Sequence, residues 1–198
     1  MSDALKVLIL AGSPRRLSYT RSLAHTIGRA LSERGARVDT VDLHATPLPP
    51  VEPELRASRG EHPDPAVARL FGLAEEADAF VLASPVYHNS YAGVLKNALD
   101  YLMLRDLRYR PVALATHSGR STQAVDHLRQ VVRGVLGVAI PTQVCTREDD
   151  FSAEPDEAGL YQVTDPDIEA RIERMATELT VFAKHLTALR ADLAAAWD

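Results

Sequence analysis

Three short stretches of this 198-residue chain hold the polar groups that could do chemistry. The first is Gly12-Ser13-Pro14-Arg15-Arg16-Leu17-Ser18-Tyr19-Thr20. Ser13, Ser18 and Thr20 supply hydroxyls. Arg15 and Arg16 supply positive charge and the planar donor fork of a guanidinium. At the start of a helix, where backbone N–H groups are free and the dipole is positive, such a set suits an anion. The stretch is neither GxxxxGK[ST] nor GxGxxG, so a nucleoside triphosphate or a dinucleotide wrapped on this loop is disfavoured. The second stretch is Pro85-Val86-Tyr87-His88-Asn89-Ser90, too rich in aromatic and polar groups for a mere connection. The third is Thr116-His117-Ser118-Gly119-Arg120-Ser121.

Other chemistries find less support. His88 has no second His or carboxylate at ligand spacing, so no metal site is expected. His117 and Ser118 are adjacent in an extended segment and point apart, which argues against a hydrolase dyad. No Ser/His/Asp set or carboxylate pair stands out, and no residue is singled out as catalytic.

The elements around these stretches read as alternating strands and helices. Leu5 to Ala11 is a continuous apolar run, the pattern of a strand buried on both faces, and a helix follows to about Glu33 with Gly35 ending it. Ala36 to Leu43 is a second strand with few apolar residues, predicted at an edge. His44 to Asp64 reads as a long loop, with prolines at 47, 49, 50, 53 and 63. Asp64 and Pro65 are suited to the N-cap and first position of a helix to Glu76. Asp78 opens a third strand through Phe80-Val81-Leu82-Ala83, which Ser84-Pro85 is expected to stop, since proline cannot donate to a ladder. From Tyr91 the apolar residues at 91, 94, 95, 98, 99 and 102 predict a helix with one buried stripe. Pro111 to Thr116 is a fourth strand, Gln123 to Leu136 a helix, and Val138 to Thr146 contains a fifth strand. Glu148 to Thr164 reads as an acidic loop, and a last helix runs from Asp165-Pro166 to about Leu189. The alternation predicts an α/β fold with a parallel sheet. All three polar stretches follow strands at the carboxyl edge, where such sheets bind ligands.

Bulk properties narrow the class. The length suits one domain over residues 1–198, and 46% hydrophobic and 25% charged residues are ordinary globular values. A net charge of −5 gives no support to a nucleic-acid partner. The single cysteine, Cys145, allows no internal disulfide and reads as a small hydrophobe at a strand end. The first residues read as a strand rather than a signal peptide, and no apolar run reaches the roughly 18 residues of a membrane span. A cytoplasmic location is expected.

On these residues the chain resembles a known family. GSPRRLSYTRSLA matches the GSxRxxSxxxxLA pattern of the NADPH-dependent FMN reductases of flavodoxin-like fold. SPVYHNSYAGVLKNALDYL is similar to that family's second signature, and THSGRSTQAVDHLR to its Gly-rich third loop and following helix. The C-terminal part resembles the flavin reductases that supply reduced FMN to sulfonate monooxygenases. The resemblance implies a three-layer flavodoxin-like sandwich with a five-stranded parallel sheet, order 2-1-3-4-5, and FMN at its carboxyl edge. By the same resemblance Ser13, Arg15, Ser18 and Thr20 bind the phosphate. Pro85, Val86, Tyr87 and His88 lie under the isoalloxazine ring, and Thr116, Ser118, Gly119 and Arg120 form the third loop.

The implied activity is NAD(P)H-dependent reduction of FMN, with NADPH or NADH as donor and a monooxygenase as a partner that receives reduced FMN. A second alternative keeps FMN bound and passes electrons to a quinone or azo compound. Relatives that release flavin often carry an inserted residue in the helix after the third loop, and AVDHLRQVV shows none. A flavodoxin-type carrier is a third alternative, disfavoured by the arginines of the first loop. A homodimer or homotetramer is implied, with the helix 91–103 as its contact and Tyr91, Tyr101 and Met103 expected off its buried line.

Overall fold

The computed structural model describes residues 4–56 and 62–197. In chain order the elements are β1 (Lys6–Ala11), α1 (Tyr19–Ser32), β2 (Arg37–Asp42), α2 (Pro53–Arg56), α3 (Pro65–Glu76), β3 (Ala79–Tyr87) and β4 (Ser90–Tyr91). There follow α4 (Gly93–Tyr101), α5 (Leu104–Leu107), β5 (Pro111–His117), α6 (Gln123–Gly134), β6 (Val138–Thr146), a 3-10 turn (Glu148–Asp150) and α7 (Pro166–Trp197). Five strands form a parallel sheet in the order β2-β1-β3-β5-β6, with β4 antiparallel to β3. Counting the parallel strands alone, this is the 2-1-3-4-5 order of a flavodoxin-like fold, with β2 at an edge.

The sheet is dry on both faces because its central strands carry apolar runs at 7–11, 79–83 and 111–115. Val7, Ile9, Val81 and Val144 face one layer with Leu23, Ile27, Ile172, Met175 and Leu179 of α1 and α7. Leu8, Leu10, Phe80, Leu82, Val112 and Leu114 face the other with Leu70, Leu95, Leu99, Leu128 and Val132 of α3, α4 and α6. Local signals end the helices. Gly35 sits at φ +81, its N–H donates to Ser32 O and Ala36 N–H to Leu31 O, the two bonds of a Schellman motif. Asp64 caps α3 by accepting from Ala66 and Val67 N–H.

Several expectations are corrected. Ser84-Pro85 does not stop β3, which continues to Tyr87 with Pro85 opposite His117. The reason lies in the neighbour. Ala83 C=O points to β1, where it accepts from Gly12 N–H, so Pro85, two residues on, has its missing N–H on that same side. β1 has ended at Ala11, so no ladder bond is lost. Beyond Tyr87 the chain turns back into β4, with Val86 opposite Tyr91 and Tyr87 opposite Ser90. The two turn residues, His88 and Asn89, both have positive φ, at 48° and 64°, as a type I′ hairpin requires.

α4 therefore starts at Gly93, not Tyr91, and Ala92 N–H instead donates to the buried Ser84 Oγ. Tyr101 is 1% exposed and packs in the core, with its hydroxyl donating to Pro49 O and Pro50 O, so it is not an outer aromatic. α7 runs eight residues past Leu189, through a stretch rich in Ala and Leu, the strongest helix formers. The proline-rich segment contains the short helix α2, and its residues 57–61 lie outside the described residues.

Candidate active site

The loop after β1 is shaped by a close approach. Gly12 packs so tightly that a Cβ there would lie 2.7 Å from Leu95 Cβ and 2.9 Å from Ala83 O. The chain then crosses to α1, whose N-cap is Ser18, with its Oγ accepting from Arg21 N–H. That leaves the N–H groups of the first two helical positions, Tyr19 and Thr20, without an intrahelical acceptor. Ser13 and Thr20 are only 2% and 1% exposed, while Arg15 is exposed. Outside the loop, the His44 ring donates from Nδ1 to Pro14 O at 2.9 Å, and Arg21 pairs with Asp42 at 2.9 Å. The end of β2 thus braces the loop and the start of α1.

The third loop is closed on β6. Ser118 N–H and Arg120 N–H both donate to Thr146 O, and Thr116 Oγ1 donates to Ser121 O. Thr116 is fully buried and acts as a brace. Gly119 and Arg120 take positive φ, at 50° and 59°, which turns the Arg120 side chain onto Asp150 (2.6 Å) and Asp165 (2.7 Å). Burial by itself raises the Asp150 pKa. Hydrogen bonds from Arg120 and from Arg147 N–H outweigh it and hold the carboxyl below its usual value.

These loops converge on one cleft of about 580 Å³, lined by Ser13, Arg15, Ser18, Thr20, Pro85, Val86, Tyr87, Ser118 and Gly119 together with Leu17, Tyr19, His117, Glu148 and Tyr161. Nine of the twelve residues expected at the site thus share it. His88 sits at the exposed tip of the β3–β4 turn, and Thr116 and Arg120 brace the third loop, so these three do not line it.

The aromatic wall is the part that motif reading passed over. Tyr19 lies against His117 with centroids 4.7 Å apart, against Tyr161 at 4.2 Å and against Phe151 at 5.0 Å. Tyr161 is brought in by the β6–α7 connection, whose backbone N–H at Tyr161 donates to Ser22 Oγ and whose Phe151 bridges to Val163. The signal available in the sequence was Phe151 and Tyr161 themselves, two aromatics in a polar loop. Burial lowers the His117 pKa and raises that of Tyr19, whose hydroxyl also donates to Glu148 Oε1.

An anion with an aromatic body fits this arrangement. Free helix N–H groups, three hydroxyls and Arg15 lie at one end, and the apolar edge of Pro85-Val86-Tyr87 and the ring cluster border the rest. The volume falls within the range typical of cofactor sites.

Comparison with known proteins agrees with this geometry. The model of the family described as NADPH-dependent FMN reductase matches residues 5–150. An FMN-dependent NADPH-azoreductase of Staphylococcus saprophyticus is 34% identical over 183 residues, which span 91% of this chain and 96% of that protein. Among solved structures, an oxidoreductase of Corynebacterium diphtheriae has a TM-score of 0.70 at 24% identity, covering 93% of this chain and 99% of that one. The flavoenzyme NAD(P)H:(acceptor) oxidoreductase FerB of Paracoccus denitrificans also has a TM-score of 0.70, at 21% identity, covering 90% and 99%. These two show the shared fold. The chain belongs to the NADPH-dependent FMN reductase family, flavodoxin-like oxidoreductases that work with FMN and NAD(P)H.

Proposed function

We propose that the cleft seats FMN as a resident group and that the chain uses NAD(P)H to reduce an azo or quinone acceptor. The observation that carries the reading is the convergence of three strand-end loops on one cleft with an anion-suited helix start at its floor. Ser13, Ser18, Thr20 and Arg15 would hold the phosphate. Pro85, Val86 and Tyr87 would support the ring, and Ser118 and Gly119 would border it. When bound, FMN accepts a hydride and passes electrons on, so the protein is left to bind, orient and exclude water. His88 lies at the turn tip outside the cleft lining, and Thr116 and Arg120 would act by holding the third loop. No side chain is assigned an acid–base role.

Two observations favour the acceptor reading over release of reduced FMN to a monooxygenase. α6 runs unbroken from Gln123 to Gly134, without the extra residue that flavin-releasing members of the family often carry. The Staphylococcus relative is itself named an FMN-dependent azoreductase. Release to a monooxygenase, as in sulfonate use, is the second reading.

The whole chain is taken as one FMN-binding domain, and two copies are taken to associate beside α4. An apolar notch of about 320 Å³, lined by Leu43, Pro47, Leu48, Pro50 and Val94, supports that placement. Among the described residues no helix is long and apolar enough to cross a membrane. Use of NAD(P)H fits a cytoplasmic location. The deciding experiment is to purify the protein, measure bound flavin, and follow NADPH oxidation with an azo dye, with and without added FMN. Turnover that needs no added FMN and tracks bound flavin supports a resident group. Reduced flavin recovered free in solution would move the assignment to the second reading.

A further inference from the structure

A second cavity, of about 500 Å³, opens on the far side of the third loop. Gly119 lines the flavin cleft and the next residue, Arg120, lines this cavity, so the two are separated by one loop. Its wall carries Arg120, Arg171 and Arg174, with Thr122, Gln143 and Asp167. The lining has three guanidiniums and one carboxylate, and Asp126, in the first turn of α6, adds a second carboxylate beside Thr122.

The three arginines are not equivalent. Arg120 is spent on Asp150 and Asp165. Arg171 and Arg174, spaced three apart, lie on one face of α7, and neither has a carboxylate partner among the described residues. Arg171 reaches only the carbonyl of Gln143, at 3.5 Å. A fourth arginine, Arg129, donates to Gln143 Oε1 at 2.8 Å, which leaves the amide nitrogen of Gln143 as a further donor. Opposite α7 is the N-terminus of α6, a helix of 12 residues whose N-cap Thr122 makes no side-chain capping bond to the backbone. Its Oγ1 instead lies 3.4 Å from Asp126 Oδ2. Two guanidiniums without a carboxylate partner, lining one cavity with Gln143 and Thr122 at the start of α6, form a donor set suited to a tetrahedral oxyanion.

We propose that this cavity is a second anion site, which holds the phosphate or sulfonate group of a substrate whose reactive end lies in the flavin cleft. Two substrates of the proposed reaction carry such a group: the 2′-phosphate of NADPH and the sulfonate of an aryl azo dye. Both need the same chemistry here, a terminal oxyanion on a molecule long enough to cross one loop. The inference rests on the proposed function for the identity of that substrate, and on the cavity for the site.

The test is a binding measurement on the FMN-loaded protein with two probes, 2′,5′-ADP and 4-aminobenzenesulfonate. The variants are Arg171→Gln/Arg174→Gln and, as a control for charge alone, Arg190→Gln on the distant end of α7. At least one probe should bind the wild type and the control alike, and the double variant about tenfold or more weakly. Loss of 2′,5′-ADP, with a raised KM for NADPH and not for NADH, assigns the site to the nucleotide. Loss of the sulfonate probe assigns it to the acceptor. If neither probe binds the wild type, or the double variant binds both unchanged, the site is refuted. FMN content separates the two claims. A protein that keeps FMN and binds no probe loses only this inference, and one that takes up no FMN loses the proposed function while the probes still judge the cavity.

Discussion

The imidazole of His117 lies against the ring of Tyr19, with planes 28° apart, and its Nδ1 is 3.2 Å from Thr146 Oγ1. Thr146 has one hydroxyl hydrogen, which it donates to Thr116 O. Nδ1 of His117 must therefore be the donor in the contact between them, which assigns the Nδ1–H tautomer from the network and leaves Nε2 as an acceptor.

That arrangement sets a pH dependence. An unfolded imidazole titrates near about 6.5, and burial lowers the value in the folded chain. Between the two values the unfolded chain binds more protons, so stability falls as pH drops below about 6.5 and levels off below the folded value. Thermal unfolding of the wild type should show this acid loss, and His117→Asn should flatten it. Equal slopes in the two proteins would contradict the assignment.

Arg15→Ala removes a charge-assisted contact of about 1.5–3 kcal/mol to the proposed phosphate. FMN should bind at least about tenfold more weakly, read by fluorescence titration. An unchanged dissociation constant would remove Arg15 from the site. His88→Ala and His117→Ala should both keep measurable turnover at saturating FMN, because orientation is shared among ring and backbone contacts. Complete loss with FMN bound would reveal an acid–base role.

Gly12→Ala places a methyl group 2.7 Å from Leu95 Cβ and 2.9 Å from Ala83 O. The backbone must shift, at a cost of about 1–3 kcal/mol typical of overpacking. A lower urea midpoint together with weaker FMN binding is expected, since the same residue anchors the first loop by donating to Ala83 O. A normal midpoint would show that the strand end is free to move.

Asn97 staples the proline-rich segment to α4. Its Oδ1 accepts from Val51 N–H at 3.0 Å, and its Nδ2 donates to Pro49 O at 2.7 Å. Asn97→Ala should lose about 1–3 kcal/mol by leaving the Val51 N–H without its partner, while Pro49 O keeps the Tyr101 hydroxyl. Hydrogen exchange at the Val51 amide should rise, and protection equal to wild type would refute the staple.

Association beside α4 is tested by Val94→Glu, which puts a charge in the apolar notch. Sedimentation should show a dimeric wild type and a monomeric variant. A monomeric wild type with full activity would end that proposal. Lys96 and Asp100 pair within α4 at 2.7 Å, but an exposed pair of this kind adds only about 0.3–0.5 kcal/mol and does not decide assembly.

Local chemistry was readable from the chain alone where it acts over a few residues. The apolar runs of β1 and β3, the Asp64-Pro65 helix start and Gly35 at its left-handed position each follow from neighbours in sequence. The parallel sheet followed from the alternation of strands and helices, while its 2-1-3-4-5 order was implied by the family resemblance. Proline at position 85 misled, since whether its missing N–H costs a bond depends on where another strand ends. Tyr101 misled in the same way: the segment at 49–50 that covers it is about fifty residues distant in sequence. The turning of Arg120 onto Asp150 and Asp165, and the seating of Tyr161 against Tyr19, were decided by contacts of 30 residues or more. Such contacts exist only after the sheet has brought its carboxyl edge together, and no local pattern encodes them.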